Sequence, residues 1–109
     1  MIRILLVDDQ KILLDGLARL LEPYEDLEVV GQLPFSEMVE TACGRLKPHV
    51  VLMDICMEGK TSGIECTRKI KKHFPQIKVI IMTGFQDVHF VELAQEAGAD
   101  SFIYKESAA

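Results

Sequence analysis

Five short apolar runs divide the chain, and polar or turn-forming residues separate them. The runs cover residues 2–7, 27–30, 50–53, 79–82 and 101–104. Each run has the length and the Ile and Val content of a buried strand. The sequence therefore predicts five strands.

The segments between the runs carry apolar residues at helical spacing. In the first two segments these residues are Leu13, Leu17, Leu20 and Leu21, then Phe35, Val39, Ala42 and Leu46. Such faces are expected to cover a sheet. A third helix is predicted from the capping-box spacing Ser62-Gly-Ile-Glu65, and Pro75 ends it. A fourth, at about residues 87–97, has two adjacent apolar stripes, Val91 with Ala94 and Phe90 with Leu93 and Ala97.

Strict alternation of strands and helices favours an α/β fold with a parallel sheet covered on both faces. We expect one domain over residues 1–109, in three layers, with strand order 2-1-3-4-5. Only Glu-Ser-Ala-Ala follows Lys105, so no helix is left to cover the last strand. We therefore expect the chain to be an excised fragment.

Composition narrows the classes of function. The chain has 17 acidic and 12 basic residues and no Lys/Arg run, which argues against strong non-specific binding to nucleic acid. It contains neither an apolar run of about 20 residues nor a signal peptide, so we expect a cytoplasmic protein that does not bind membranes. The spacing of Cys43, Cys56 and Cys66 supports neither a zinc site nor a disulfide framework.

Five polar residues come directly after predicted strands or close them: Asp8, Asp9, Asp54, Thr83 and Lys105. In an open parallel sheet the carboxyl ends of the strands meet at one edge, where ligands bind. Two carboxylates about 4 Å apart repel by about 4 kcal/mol at an effective dielectric of about 20. The predicted cluster therefore needs a cation.

Mg²⁺ suits such a site because it binds carboxylates, waters and substrate phosphates. We predict Asp9 and Asp54 as direct ligands, Asp8 as a ligand through water, and the Cys56 backbone carbonyl as a third protein oxygen. Phosphoryl transfer needs mainly alignment and neutralised charge. Asp54 would be the nucleophile, while the Lys105 ammonium and the Thr83 hydroxyl would contact the phosphoryl oxygens.

Four motifs of this chain resemble the receiver domains of two-component response regulators. They are Leu-Leu-Val-Asp8-Asp9, Val-Leu-Met-Asp54-Ile-Cys-Met, Ile-Ile-Met-Thr83-Gly and Ala-Gly-Ala-Asp-Ser-Phe102-Ile-Tyr-Lys105. Their order and intervals match that family over nearly the whole chain. The resemblance implies a flavodoxin-like fold, an aspartyl phosphate at Asp54, an acidic pair at Asp8 and Asp9, and Lys105 as the site lysine. It also implies Thr83 as the switch hydroxyl and Phe102 as the switch aromatic.

Two local sequences, Ser-Gly63-Ile-Glu and Pro75-Gln-Ile-Lys-Val, are similar to those of the NarL/FixJ branch of that family. This resemblance implies a sensor histidine kinase as phosphodonor and a homodimer on activation. It implies DNA binding only through a C-terminal LuxR-type helix-turn-helix domain, which is absent here. Such a domain catalyses its own phosphorylation and is not a turnover enzyme. Its phosphorylation is expected to regulate transcription.

Alternative interpretations remain open from the sequence. Aspartates at strand ends are also common helix caps and turn formers. A haloacid-dehalogenase type of phosphatase also uses an Asp nucleophile with Mg²⁺, but it should show Asp-x-Asp where this chain has Asp54-Ile-Cys56. A flavin-binding module should offer phosphate donors where this chain has Asp8 and Asp9. A degenerate receiver that binds partners without phosphorylation is the remaining alternative, because Met57-Glu58 replaces the Met-Pro that is common in receivers.

We predict slow self-dephosphorylation of this protein. Cys56 and Phe85 occupy the two variable positions, two residues beyond Asp54 and two beyond Thr83, that in the family influence how water reaches the acyl phosphate. Neither side chain readily orients an attacking water. The decay of the phosphorylated protein, followed by intact mass, is the measurement, and a lifetime of seconds would contradict the prediction.

Overall fold

Five parallel strands form one sheet in the order β2-β1-β3-β4-β5. The computed structural model describes residues 1–55, 63–83 and 88–104. The strands are β1 (Ile2–Val7), β2 (Leu27–Leu33), β3 (Val50–Asp54), β4 (Lys78–Thr83) and β5 (Ser101–Tyr104). The described helices are α1 (Lys11–Leu21), α2 (Val39–Leu46), α3 (Gly63–His73) and α4 (Val88–Glu96), and a 3₁₀ turn (Ser36–Met38) precedes α2.

Helices cover both faces of this sheet. On one face Ile4 and Leu6 of β1 pack with Leu14 and Leu17 of α1. The opposite face is larger, and its buried cluster joins alternate residues of β1, β3 and β4 to α2, α3 and α4, including Leu5, Val51, Ala42, Ile70 and Ala94. The predicted flavodoxin-like three-layer fold and its strand order are confirmed. Among the described residues, β5 is the last element and no helix follows it.

Two details of the predicted helices are corrected. Leu20 is 58% exposed, and Leu14 is buried in its place, because α1 is rotated about its axis so that Leu14 and Leu17 face the sheet. Phe35 is 49% exposed, because it precedes the 3₁₀ turn and α2 begins only at Val39. On α4 the structure distinguishes the two predicted stripes, because Ala94 is buried in the core while Phe90 is exposed. The predicted cap residue Ser62 lies outside the described residues.

Strand β2 contains one extra residue. Ile4 of β1 pairs with Val29, whereas the next residue, Leu5, pairs with Gly31. Val30 is therefore a bulge, and residues beyond it change faces. Val29 packs on the α1 side of the sheet, and Leu33 packs on the side of α2 and α3. The predicted strand ended at residue 30 because Gly31 and Gln32 interrupt the apolar run, whereas the observed strand continues to Leu33.

At the amino edge of the sheet, Asp100 joins α3 to β4 and β5. Its Oδ2 accepts hydrogen bonds from the Val79 backbone N–H at 2.9 Å and from Lys71 Nζ at 3.0 Å. Lys71 Nζ also donates to the Ile77 carbonyl at 2.9 Å. Burial raises the pKa of Asp100, but these hydrogen bonds and the charges of Lys71 and Lys78 outweigh it, so the pKa lies below its ordinary value.

The two described cysteines are core residues. Burial, with a smaller contribution from Glu40, raises the pKa of Cys43 to about 11. Burial and the neighbouring Cys43 are the largest contributions that raise the pKa of Cys66 to about 12. Both side chains therefore remain thiols at neutral pH, and thiols are weak nucleophiles.

Among the described residues, no helix combines the length and the apolar character that crossing a bilayer requires.

We predict that Asp100 stabilises the fold in a pH-dependent way. A lowered pKa means that the carboxylate stabilises the folded state above its ordinary pKa of 3.8, and that this contribution is lost as the pH falls through the folded-state pKa. Asp100→Ala should lower the free energy of unfolding at pH 7 by about 1–3 kcal/mol, because the buried Val79 N–H loses its acceptor.

Urea unfolding from pH 7 to pH 3 is the measurement. The control is Asp100→Asn, which keeps an acceptor oxygen but cannot titrate. The stability difference between wild type and Asp100→Asn should shrink as the pH falls below 4, and a constant difference would refute the electrostatic explanation.

Candidate metal centre at the carboxyl edge of the sheet

Three carboxylates converge where β1 and β3 end. One carboxylate oxygen from each of Asp8, Asp9 and Asp54 lies within 4.8 Å of the other two. Asp8 and Asp9 follow β1 directly, Asp54 is the last residue of β3, and the two strands are neighbours in the sheet. The predicted meeting of these three residues is therefore observed.

The arrangement is electrostatically costly without a cation. Two unit charges about 5 Å apart repel by roughly 3 kcal/mol at an effective dielectric of about 20. Asp8 is fully buried, Asp54 is 3% exposed, and Asp9 is partly buried, so solvent reaches the cluster mainly on the side of Asp9. An oxygen-only set of ligands that is open on one side fits a hard divalent cation that keeps some of its waters.

The backbone holds the acidic residues in place. The Asp8 backbone N–H donates to the Leu33 carbonyl of β2 at 3.1 Å. Asp8 Oδ1 accepts a hydrogen bond from the Gln10 backbone N–H at 2.8 Å, which turns the chain toward α1. Asp54 pairs with Met82 of β4, and the next N–H, of Ile55, donates to the Met82 carbonyl at 3.1 Å.

The sequence-predicted switch residues lie on the neighbouring strands. Thr83 ends β4 one residue beyond Met82, the partner of Asp54, and its side chain is fully buried. Thr83 pairs in turn with Tyr104 of β5. Phe102 is partly buried and packs against the core on the side of α4.

Two predicted site residues belong to segments that the description of the structure leaves out. Cys56, whose carbonyl was predicted as a metal ligand, and Lys105, the predicted site lysine, both lie outside the described residues. The same holds for Glu58 in the altered loop and for Phe85. Strand β5 does run to Tyr104, so it approaches this edge of the sheet.

The sequence model of the response regulator receiver domain matches residues 4–109, which is nearly the whole chain. This chain belongs to the receiver domain family. The fold, the acidic cluster after β1 and β3, and the sequence match agree on that assignment. The clustered acidic residues are consistent with the metal site that is typical of receiver domains.

Similar receivers occur in longer regulators. The chain is 39% identical over 108 residues to the response regulator protein VraR of Staphylococcus epidermidis, and the match covers 99% of the chain but 51% of that protein. This receiver therefore spans about half the length of the curated relatives that it matches.

Solved structures share the same fold. The isolated REC domain of RcsB from Salmonella enterica serovar Typhimurium, studied with the phosphomimetic BeF3⁻, has a TM-score of 0.87 at 26% identity and covers 96% of this chain and 78% of that one. A DNA-binding response regulator of the LuxR family from Staphylococcus aureus has a TM-score of 0.88 at 27% identity, covering 97% and 88%.

Sequence reasoning missed one residue that positions the acidic site, Gly63. A Cβ at this position would lie 2.6 Å from the Asp54 carbonyl oxygen and 3.0 Å from Ile55 Cα. The N-terminus of α3 therefore packs directly on the backbone of the residue that carries the Asp54 carboxylate. The Thr67 hydroxyl donates to the Gly63 carbonyl at 2.7 Å and fixes this first turn. A glycine at the start of a helix after a loop was the available signal.

We predict that Gly63→Ala disturbs the receiver site. The added methyl group meets backbone, which cannot rotate away, so α3 or the end of β3 must shift. The free energy of unfolding should fall by about 1–3 kcal/mol, as for other overpacked positions, and phosphorylation by acetyl phosphate should slow.

The matched control is Gly16→Ala in α1, where a Cβ meets nothing within 4 Å. Alanine in a helix interior should raise stability by about 0.5–1 kcal/mol there and leave phosphorylation unchanged. Urea unfolding and the phosphorylation rate are the two measurements. Equal effects of both substitutions would show that the close approach at Gly63 is unimportant.

Proposed function

We propose that this receiver accepts a phosphoryl group on the side chain of Asp54 and thereby switches a surface that controls an effector. The observation that carries the proposal is the convergence of Asp8, Asp9 and Asp54 within 4.8 Å at the edge of the sheet where ligands bind. The Asp54 carboxylate belongs to the last residue of a central strand. The strand pairs on both sides hold its backbone in place, and phosphoryl transfer depends on such alignment.

Mg²⁺ is the cation proposed for this centre. Asp9 and Asp54 would bind it directly, Asp8 through water, and the Cys56 carbonyl would complete the protein ligands. When bound, the cation supplies positive charge that offsets the carboxylates and the oxygens of the incoming phosphoryl group. All described candidate ligands are oxygens, which suits Mg²⁺ better than softer metals.

In the proposed reaction an Asp54 carboxylate oxygen attacks phosphorus in line with the leaving group. A new bond forms between that oxygen and phosphorus, while the bond from phosphorus to the donor's imidazole nitrogen breaks. The nitrogen keeps the electron pair of the broken bond. The Thr83 hydroxyl donates to one phosphoryl oxygen, and the Lys105 ammonium neutralises another. The receiver is consumed as a substrate and does not turn over.

The proposed switch follows from the same contacts. Once Asp54 carries phosphate, Thr83 moves toward it and Phe102 of β5 rotates inward, which changes the surface of α4 and β5. The partly buried state of Phe102 supports this role, because such a ring can occupy an inner or an outer position. Phosphorylation then shifts the populations of two existing states.

The partners are proposed from the family. A phosphohistidine on a sensor kinase would supply the phosphoryl group, and the phosphorylated receiver would form a homodimer. DNA would be bound by a C-terminal domain outside this chain, since one similar solved protein is described as a DNA-binding response regulator. We propose that the protein works in the cytoplasm.

We expect one phosphoryl group to be added to the wild-type protein by acetyl phosphate and Mg²⁺, and none to Asp54→Asn, which lacks the nucleophile. Intact-mass spectrometry is the measurement. The matched control is Asp15→Asn, because Asp15 is an exposed aspartate of α1 in a surface ion pair with Lys11. It should be phosphorylated like the wild type.

Chelation of Mg²⁺ by EDTA should abolish the mass gain, and Asp9→Asn should require more Mg²⁺ for the same rate. A wild-type protein that never gains mass would favour the alternative of a degenerate receiver, which binds partners without phosphorylation. Phosphate on Asp54→Asn would place the acceptor elsewhere.

A further inference from the structure

The turn between β2 and α2 presents two large apolar side chains to solvent beside the acidic site. Phe35 is 49% exposed and Met38 is 50% exposed. Single exposed apolar residues are common and need no explanation. Here two such residues lie three positions apart on one short turn beside the acidic site. A pair in this position is a stronger indication of a binding surface than a single exposed residue is.

This turn lies at the same edge of the sheet as the carboxylates. The Leu33 carbonyl, at the end of β2, accepts the hydrogen bond of the Asp8 N–H. Phe35 follows Leu33 by two residues, which span at most about 7 Å, and neighbouring strands are about 5 Å apart. Phe35 therefore lies within about 12 Å of Asp8.

The turn is also held firmly from beneath. Ser36 and Val39, the neighbours of the two exposed residues, are buried. The Cys66 thiol of α3 donates to the Ser36 carbonyl at 3.7 Å. The backbone that carries Phe35 and Met38 is therefore already ordered. Binding of a partner to these side chains costs little entropy for ordering the turn.

We infer that Phe35 and Met38 are docking residues for the protein that donates the phosphoryl group. This inference rests on the proposed function. Asp54 is 3% exposed, so a phosphohistidine can reach its carboxylate only if the donor lies against the surrounding edge. A standard interface covers about 800 Å² per partner, a patch of roughly 16 Å radius, and such a patch centred on the carboxylates includes Phe35.

The expected donor surface is apolar where it meets this turn and carries its phosphohistidine beside that apolar area. Aromatic and Met side chains are enriched at protein interfaces relative to the rest of the protein surface. A small donor such as acetyl phosphate has no such surface. Its reaction should not depend on Phe35 or Met38.

The test compares two phosphodonors on the double variant Phe35→Ser with Met38→Gln. The protein donor is the autophosphorylated soluble core of a sensor histidine kinase, chosen from those of the source organism as the one that phosphorylates the wild-type protein fastest. The small donor is acetyl phosphate with Mg²⁺. We expect transfer from the kinase to slow by at least about tenfold, equivalent to about 1.4 kcal/mol, and the acetyl phosphate rate to change by less than about twofold.

A matched control removes two exposed apolar residues away from this edge. Leu20→Gln with Tyr24→Ser changes side chains at the end of α1 and in the following loop, both 58% exposed. This variant should accept phosphate from both donors like the wild type. Equal loss in the two double variants would overturn the inference, because it would indicate a general effect of surface hydrophobicity.

The remaining outcomes are also decisive. If the first double variant slows with both donors, the turn supports the acidic site structurally and is not a docking surface. If transfer from the kinase is unchanged in the first double variant, the docking inference is wrong. If that variant in its phosphorylated form also fails to dimerise in analytical ultracentrifugation, the turn binds a second copy of the receiver. A wild-type protein that reacts with acetyl phosphate and with none of the kinases overturns the docking inference alone. Failure with acetyl phosphate overturns the proposed function itself.

Discussion

Repulsion among the carboxylates of Asp8, Asp9 and Asp54 is the constraint on which this site depends. Two carboxylates about 5 Å apart repel by roughly 3 kcal/mol at an effective dielectric of about 20, and this cluster contains three such pairs. The sheet can hold the carboxylates together only because its central strands are buried on both faces, and a site assembled at this cost has a strong affinity for positive charge.

Much of this arrangement could be predicted from sequence, because it follows from topology. Continuous apolar strands alternating with helices require a parallel sheet, and a parallel sheet brings the carboxyl ends of its strands to one edge. Residues far apart in the chain, such as Asp9 and Asp54, meet there without any local sequence signal. The strand order 2-1-3-4-5 made the ends of β1 and β3 neighbours. The resemblance to receivers added the switch roles of Thr83 and Phe102, which geometry alone would not suggest.

What the sequence did not predict depends on backbone detail. Phe35 has the right spacing for a helix face, but the 3₁₀ turn at Ser36–Met38 displaces it toward solvent. Leu20 matches the apolar stripe of α1 as well as Leu14 does, and only the rotation of the packed helix distinguishes them. The contact of Gly63 with the Asp54 backbone is a matter of tenths of an ångström, which no periodicity encodes.

The extra residue at Val30 shifts the register of β2 against β1 by one residue. Every side chain after it takes the face that its neighbour in sequence would otherwise have occupied. Leu33 thereby reaches the core under α2, and the chain leaves the sheet on that same side. The right-handed crossover from β2 to β3 fixes the side of the sheet on which α2 lies. The inserted residue brings the last side chain of β2 to that same side, so that Leu33 is buried beneath the helix that follows it.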